Sequence, residues 1–489
     1  MQRVAVVGFD GFDAQVVHEL LPDLPNFRIA AKDGRLFELK SIFPPDSVPA
    51  WTTIYTGLPP YRHGVIDSVD YLDARRIKEL DSTLFRGRTF WDAASKAGRR
   101  VCIINPFMAY PAWPVNGVMV SGPVFEGGEM SAYPADILSR YDPPPMGGLV
   151  DFPKRADLAE FAARTKELTT QQADFGLSLL RETDWDLFFI CFLTSDRIQH
   201  FFWRFWDPQD PTYPGPSPHS SVIPDFYKLH DDILGQFKEA VGKDTALLVI
   251  SDHGHGRRCV KGLYLNELLR RKGYLKSRTG RLGALDPKTL VERAKNAALR
   301  VAYDHDLEDW VYRLAKMIPR SRAIKRSTYI ISKSESVAQI ADFAGNNPFG
   351  GIEISREAAA ANGLEYETVR TDLISALRNL NDPVDGKPIV DWVKKREELP
   401  EGEGRNRFPD IVYQLRPDYG TQRAMYTELL GRNPFHRKIS GGHRESGILV
   451  AHGPRLAGDG AALPDLRPTI LDLLDVEKEK QGDGRSLVR

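Results

Sequence analysis

Six short runs constrain the fold of this chain more than any other feature: Val4–Phe9, Val101–Asn105, Val118–Ser121, Leu187–Leu193, Ala246–Ser251 and Gly447–Ala451. Each is almost unbroken in apolar residues, rich in β-branched or aromatic side chains, and bounded by Gly, Pro, Asp or Asn. A strand with one wet face alternates. A strand that does not alternate is covered on both faces, as in a parallel sheet. Between the runs, Leu24–Lys32, Ala156–Leu180 and Asp225–Val241 carry apolar residues at helical spacing. Strands alternating with helices predict an α/β three-layer sandwich around a mostly parallel central sheet.

From Leu268 to Ser334 the pattern changes. Lys and Arg outnumber Asp and Glu, strand signals vanish, and amphipathic stretches such as Leu307–Met317 appear. This predicts a helical insertion at 268–334 between two parts of a catalytic core, 1–267 and 335–489. Its surface is either ordinary solvated helix or a lid whose cations attract an anionic substrate. The formal net charge is zero, so no bulk electrostatic case exists for nucleic acid or an anionic membrane. The longest strongly apolar run, Leu187–Leu193, is far too short to span a bilayer. The N-terminus enters a strand at once, without a signal-peptide pattern, and a cytoplasmic location is expected. Cys102, Cys191 and Cys259 are odd in number and two lie in or beside strand patterns, so they read as core residues.

In open parallel sheets, ligands bind beyond the carboxyl ends of the strands, and the polar residues there are the ones to read. The first strand ends in Phe9-Asp10-Gly11. Asp10 is a hard oxygen ligand or a helix cap. Ser47 precedes Pro49, which suits the first turn of a helix running to Gly57. There it is either an N-cap or a hydroxyl activated by the positive helix end. Asp196 and His200, after the Leu187–Leu193 strand, fall four apart on one helical face and could chelate one ion. Asp252 and His253 follow the strand Ala246–Ser251 in a glycine-rich turn with little expected steric cover. His443 stands in a loop before the last strand, exposed or available as a further ligand. Jointly these positions supply mixed nitrogen and oxygen donors for two ions, zinc or manganese. A pair of ions can clamp the attacking and leaving oxygens of a phosphoryl transfer.

These stretches resemble the alkaline phosphatase superfamily, in its type I phosphodiesterase/nucleotide pyrophosphatase branch. The stretches that carry the resemblance are VVGFDGFD, PPDSVPAWTTIYTGLPPYRHGV, FWDAASKAGRRVCIINPFMAYPAWPVNGVMVSG, TSDRIQHFFW, SDHGHG, NPFGGI and GGHRESGILVAHGP. The resemblance implies an alkaline phosphatase-like fold and a two-metal phosphate-ester hydrolase. It implies one ion on Asp10, Ser47, Asp252 and His253, and a second on Asp196, His200 and His443. It implies Ser47 as nucleophile, a covalent phospho-serine later hydrolysed by water, and a small phosphorylated substrate: a nucleotide, sugar phosphate or diester.

One departure stands out. Relatives place Asn after the proline of the nucleophile turn, where this chain has Ala50. Arg197, Arg257 and Arg444 are candidate replacement donors to a phosphoryl oxygen. His63 is expected to be structural, and His255 at most to support a ligand. A sulfatase reading wants Arg where Trp51 stands. A phosphomutase would share the covalent intermediate but return the phosphoryl group to a trapped alcohol. An inactive binding protein would be expected to have lost ligands, and all seven positions are filled.

Overall fold

A computed structural model describes residues 2–66, 86–123, 128–147, 153, 155–276, 301, 332, 334–341, 347–422, 429–433, 436–477 and 482–489. The chain divides into two compact units. The first holds residues 1–257, 402–404 and 441–489, and the second 258–401 and 405–440.

Strands β1 (Arg3–Phe9), β2 (Leu36–Lys40), β3 (Val101–Ile104), β4 (Gly117–Ser121), β5 (Ser131–Tyr133), β6 (Leu187–Phe192), β7 (Thr245–Ile250) and β8 (Gly254–Arg257) precede the second unit. The second unit contains β9 (Lys261–Leu263), β10 (Ala338–Ile340), β11 (Phe349–Ile354), β12 (Val390–Lys395), β13 (Ile411–Leu415), β14 (Tyr419–Thr421) and β15 (Leu430–Arg432). Strands β16 (Gly441–Arg444) and β17 (Ser446–His452) return to the first.

The main sheet runs β2-β17-β7-β1-β6-β3-β4-β5. Its inner strands β7, β1, β6, β3 and β4 are parallel. All six strands expected from the sequence are present. The last, β17, differs in direction: it pairs antiparallel with both β7 and β2. An unalternating apolar run reports that both faces are covered, not which way the strand points.

Both faces are indeed covered. Val4, Val6, Phe189 and Leu248 pack with Trp51, Tyr55, Phe90 and Ile470 from helices on one side. On the other side Phe188 meets Phe237 of the helix Val222–Val241, with ring centroids 5.9 Å apart. There too a Cβ on Gly176, in the helix Leu158–Glu182, would lie 2.5 Å from Ile190 Cδ1. The helix Val222–Val241 starts three residues before the expected Asp225, because Pro224 falls in its first turn. Proline is tolerated there, where its missing N–H has no helical partner. The three cysteines are unpaired and buried. Among the described residues, no helix is long and apolar enough to cross a membrane.

The second unit has its own core. Val369, Leu373 and Leu377 of the helix Tyr366–Arg378 pack with Ile352, Val393, Ile411 and Tyr413 of an antiparallel sheet ordered β10-β11-β13-β12. The chain returns to the first unit at Gly402–Gly404 and again from Gly441. Residues 277–300 and 302–331 carry most of the expected 268–334 insertion and all of Leu307–Met317. They lie outside the described residues.

Candidate active site

Strand β1 lies between β6 and β7, all three parallel. Their carboxyl ends therefore open side by side, and the residues that follow them meet although they are far apart in sequence. Asp10 follows β1, Asp196 opens the helix Thr194–Trp206 after β6, and Asp252-His253 follow β7. The tight turn at Gly11 is a steric requirement. Its φ is +66°, and a Cβ there would stand 2.8 Å from Asp196 Oδ1. The Gly11 N–H donates to Asp252 Oδ1 at 3.1 Å.

Ser47 is the first residue of the helix Ser47–Thr56, which ends at Gly57 with φ 68°. Asp46 caps that helix by accepting from Val48 N at 3.2 Å, so Ser47 is not the cap. Its hydroxyl lies 3.0 Å from His253 Nε2 and donates to Asp10 Oδ1 at 3.2 Å. Asp10 is not a cap either; Asp13 caps the helix Ala14–Leu20. Asp10 Oδ2 instead accepts the indole N–H of Trp51 at 2.8 Å.

Asp196 and His200 meet across one helical turn, with His200 Nε2 3.2 Å from Asp196 Oδ2. His443 comes to the same place, its Nε2 3.1 Å from His200 Nε2 and 3.5 Å from Asp196 Oδ1. It sits not in a loop but in β16, which pairs antiparallel with β8 and sets His443 opposite His255. The His443 and His253 rings stack with centroids 4.0 Å apart, linking the two groups of side chains. Asp252 and His253 were expected to have little cover, yet both are fully buried. The antiparallel pair β8–β16 that follows makes the turn part of the interior.

All seven expected positions thus converge. Three sets have donor atoms mutually within 4.8 Å: Asp10, Asp252 and His253; Asp196, His253 and His443; and Asp196, His200 and His255.

The donor chemistry fits a bound cation. His200 Nδ1 lies 3.0 Å from Gly441 O, His253 Nδ1 2.9 Å from Gly254 O, and His443 Nδ1 3.0 Å from Pro45 O. A nitrogen facing a carbonyl carries the proton, so in each neutral ring these partners assign the lone pair to Nε2. All three Nε2 atoms point into the site. Asp196 Oδ1 and Asp252 Oδ2 are buried and accept no hydrogen bond among the described residues. Burial raises the Asp10 carboxyl well above its usual range, and the charges of Asp252 and Asp196 raise it further. Burial likewise raises Asp252. Burial also opposes the charge of Asp196, but His200, then His255 and His443, outweigh it and hold that carboxyl well below its usual range. Buried carboxylates and facing lone pairs are costly alone and are stabilised together by a cation.

Three residues that shape the site carry little weight in the sequence pattern. Asp46 frees Ser47 from capping, and an Asp directly before Ser-x-Pro was a readable cap signal. Trp51 anchors Asp10. His255 is fully buried within 3.1 Å of Asp196. Arg197 donates to Gly147 O, Arg257 to Gln209 O, and Arg444 to His443 O, so each has protein partners. His63 Nε2 lies 3.1 Å from Thr53 Oγ1, and its Nδ1 accepts from Val65 N.

A mostly parallel sheet in this order, with this site at its carboxyl edge, is an alkaline phosphatase-like α/β fold. The chain belongs to the type I phosphodiesterase / nucleotide pyrophosphatase family, whose model matches residues 4–453. Among solved structures it is similar to phosphonoacetate hydrolase from Sinorhizobium meliloti 1021 in complex with phosphonoformate. There the TM-score is 0.58 and the identity 16%, over 97% of this chain and 96% of that one. It is also similar to murine ectonucleotide pyrophosphatase / phosphodiesterase 5, with TM-score 0.51 and 16% identity over 99% of this chain and 97% of that one. An inactive form of the murine protein is known in complex with AMP. No curated protein matches the chain.

Proposed function

We propose that the protein is a metal-dependent phosphate-ester hydrolase, a phosphodiesterase or nucleotide pyrophosphatase in kind, acting through a covalent phospho-serine at Ser47. The observation that carries this reading is the position of Ser47 Oγ. It lies at a helix N-terminus, 3.0 Å from His253 Nε2 and 3.2 Å from Asp10 Oδ1. Asp10, Ser47, Asp252 and His253 would hold one divalent ion, and Asp196, His200 and His443 a second. The mixed imidazole and carboxylate donors suit zinc, with manganese as the other candidate. Such ions supply positive charge that lowers a hydroxyl pKa and neutralises phosphate oxygens.

The chain's own groups supply the remainder. Asp46 leaves the Ser47 hydroxyl free of capping duty. Trp51 fixes Asp10, which orients that hydroxyl. The helix N-terminus favours negative charge on the serine oxygen and on an arriving phosphoryl group. Attack by Oγ on phosphorus forms the serine ester and expels the leaving alcohol or phosphate. Water then cleaves the serine O–P bond and regenerates Ser47. Ala50 contributes no amide to a phosphoryl oxygen. The substrate class proposed is a small phosphorylated molecule: a nucleotide, sugar phosphate or diester. AMP in the murine neighbour is in keeping with it.

The test is metal analysis with parallel turnover of p-nitrophenyl phosphate and its bis-ester, for wild type and Ser47→Ala. The variant is expected to lose nearly all turnover while still binding metal. Undiminished turnover by the variant removes the serine nucleophile, and a wild type that binds no divalent ion removes the whole reading. Labelled water appearing in the released phosphate separates hydrolysis from transfer to an alcohol.

A further inference from the structure

His255 is the one imidazole of the cluster without an assigned task. Its side chain is fully buried, and neither ring nitrogen makes a hydrogen bond among the described residues. Buried polar atoms in native proteins are satisfied by protein, water or a ligand, because leaving one unsatisfied costs about 1–3 kcal/mol. The ring is also held in place. The His255 N–H donates to Asp13 Oδ2 at 3.1 Å, β16 pairs alongside, and Trp203 stacks on the ring with centroids 5.9 Å apart at 29°. A Cβ on Gly441 would fall 2.6 Å from Nε2, so that side of the ring is closed by backbone.

The other nitrogen faces the site. His255 Nδ1 is 3.1 Å from Asp196 Oδ1, which itself accepts no hydrogen bond. Neither atom has a further hydrogen-bond partner among the described residues, and their spacing admits a cation shared between them. The neighbouring pairs have like spacing: His200 Nε2–Asp196 Oδ2 at 3.2 Å and His200 Nε2–His443 Nε2 at 3.1 Å. Donors at roughly 2.1 Å from one ion stand about 3.0–3.4 Å from one another. Asp196, His200 and His255 form a group with donor atoms within 4.8 Å of each other.

We propose that His255 is a fourth protein ligand of the subsite formed by Asp196, His200 and His443. This rests on the metal-dependent reading above and deepens it. The two subsites then differ in character. Asp10, Ser47, Asp252 and His253 are oxygen-rich. Asp196, His200, His255 and His443 are nitrogen-rich and favour zinc or cobalt over manganese.

The experiment titrates the metal-free full chain with zinc against a chromophoric chelator, for wild type, His255→Leu and His255→Cys, with a thermal melt of each metal-free protein. Wild type is expected to bind two ions. His255→Leu is expected to weaken one of them by at least ~10-fold and leave the other unchanged. In cobalt-loaded His255→Cys, a thiolate-to-cobalt charge-transfer band is expected, which only a side chain reaching the ion can give. Two ions bound by His255→Leu with wild-type affinity, or a folded His255→Cys with two cobalt ions and no such band, overturns the proposal while leaving the metal-dependent reading intact. A wild type that binds no ion overturns both. If His255→Leu does not fold, the cobalt spectrum of His255→Cys decides alone.

Discussion

The Nε2 atoms of His200 and His443 face each other 3.1 Å apart, while the Nδ1 of each lies 3.0 Å from a backbone carbonyl, Gly441 O and Pro45 O. With Nδ1 holding the proton, two lone pairs point at one another. The arrangement is repulsive unless a cation stands between them or one ring takes a second proton.

Removing divalent ions is therefore expected to destabilise the protein. At an ion concentration of about one hundred times Kd, binding to the folded state alone contributes about 2.7 kcal/mol. For a chain of this size that corresponds to a Tm loss of about 3 °C per ion on chelation. Differential scanning calorimetry with and without chelator measures it, and an unchanged Tm contradicts a bound cation.

Trp51→Phe removes the indole N–H that Asp10 Oδ2 accepts at 2.8 Å and keeps most of the ring packing. A partner of this kind orients a ligand, and its loss is expected to lower kcat about 10–100-fold with little change in KM. A hydrogen bond to a buried carboxylate also contributes stability, so a loss of about 1–3 kcal/mol is expected. Steady-state kinetics beside a denaturant titration separates the two effects. Wild-type kcat with reduced stability would mean that Trp51 is only a packing residue.

Gly11→Ala places a methyl 2.8 Å from Asp196 Oδ1 at a φ of +66°. The backbone strain alone costs about 1–2 kcal/mol. The larger effect is expected on Asp196, which must move. Turnover and the affinity of the Asp196 subsite are expected to fall together by at least ~10-fold, as read by chelator competition. Loss of stability with both untouched would refute the close-approach role of Gly11.

His230 gives a pH dependence that does not involve the site's donors. It is fully buried on the helix Val222–Val241, its ring edge-on to Phe9 at 4.7 Å. Burial lowers its pKa from 6.5 to about 4. Between these values the unfolded chain binds the proton and the folded one does not. The contribution of neutral His230 is thus complete above pH 6.5 and declines as pH falls toward 4, by about 3 kcal/mol in all. Denaturant midpoints of wild type are expected to fall more steeply over this range than those of His230→Leu. Parallel curves for the two proteins would falsify the assignment.

Much of the site was legible because its residues directly follow strands that announce themselves. Asp10, Asp196 and Asp252-His253 were found as polar residues at the ends of apolar runs. His255 was harder to value. Its partners Asp196, His200 and His443 lie in a helix after β6 and in β16, and no local pattern in Gly-His-Gly states that these elements close over it. The same is true of Asp252 and His253, whose glycine-rich surroundings suggested an open turn.

Local sequence determined the existence of the six strands, since apolar content and β-branching act within a few residues. It also set the cap at Asp46 and the turn at Gly11, which depend on side chains and φ angles close by. Only the tertiary structure decided the strand order that puts β1 between β6 and β7, the reversed direction of β17, and the pairing that sets His443 opposite His255. Those outcomes depend on hydrogen bonds and packing between residues as much as 414 positions apart, as where Val450 pairs with Leu36. No window along the chain contains both partners of such a contact.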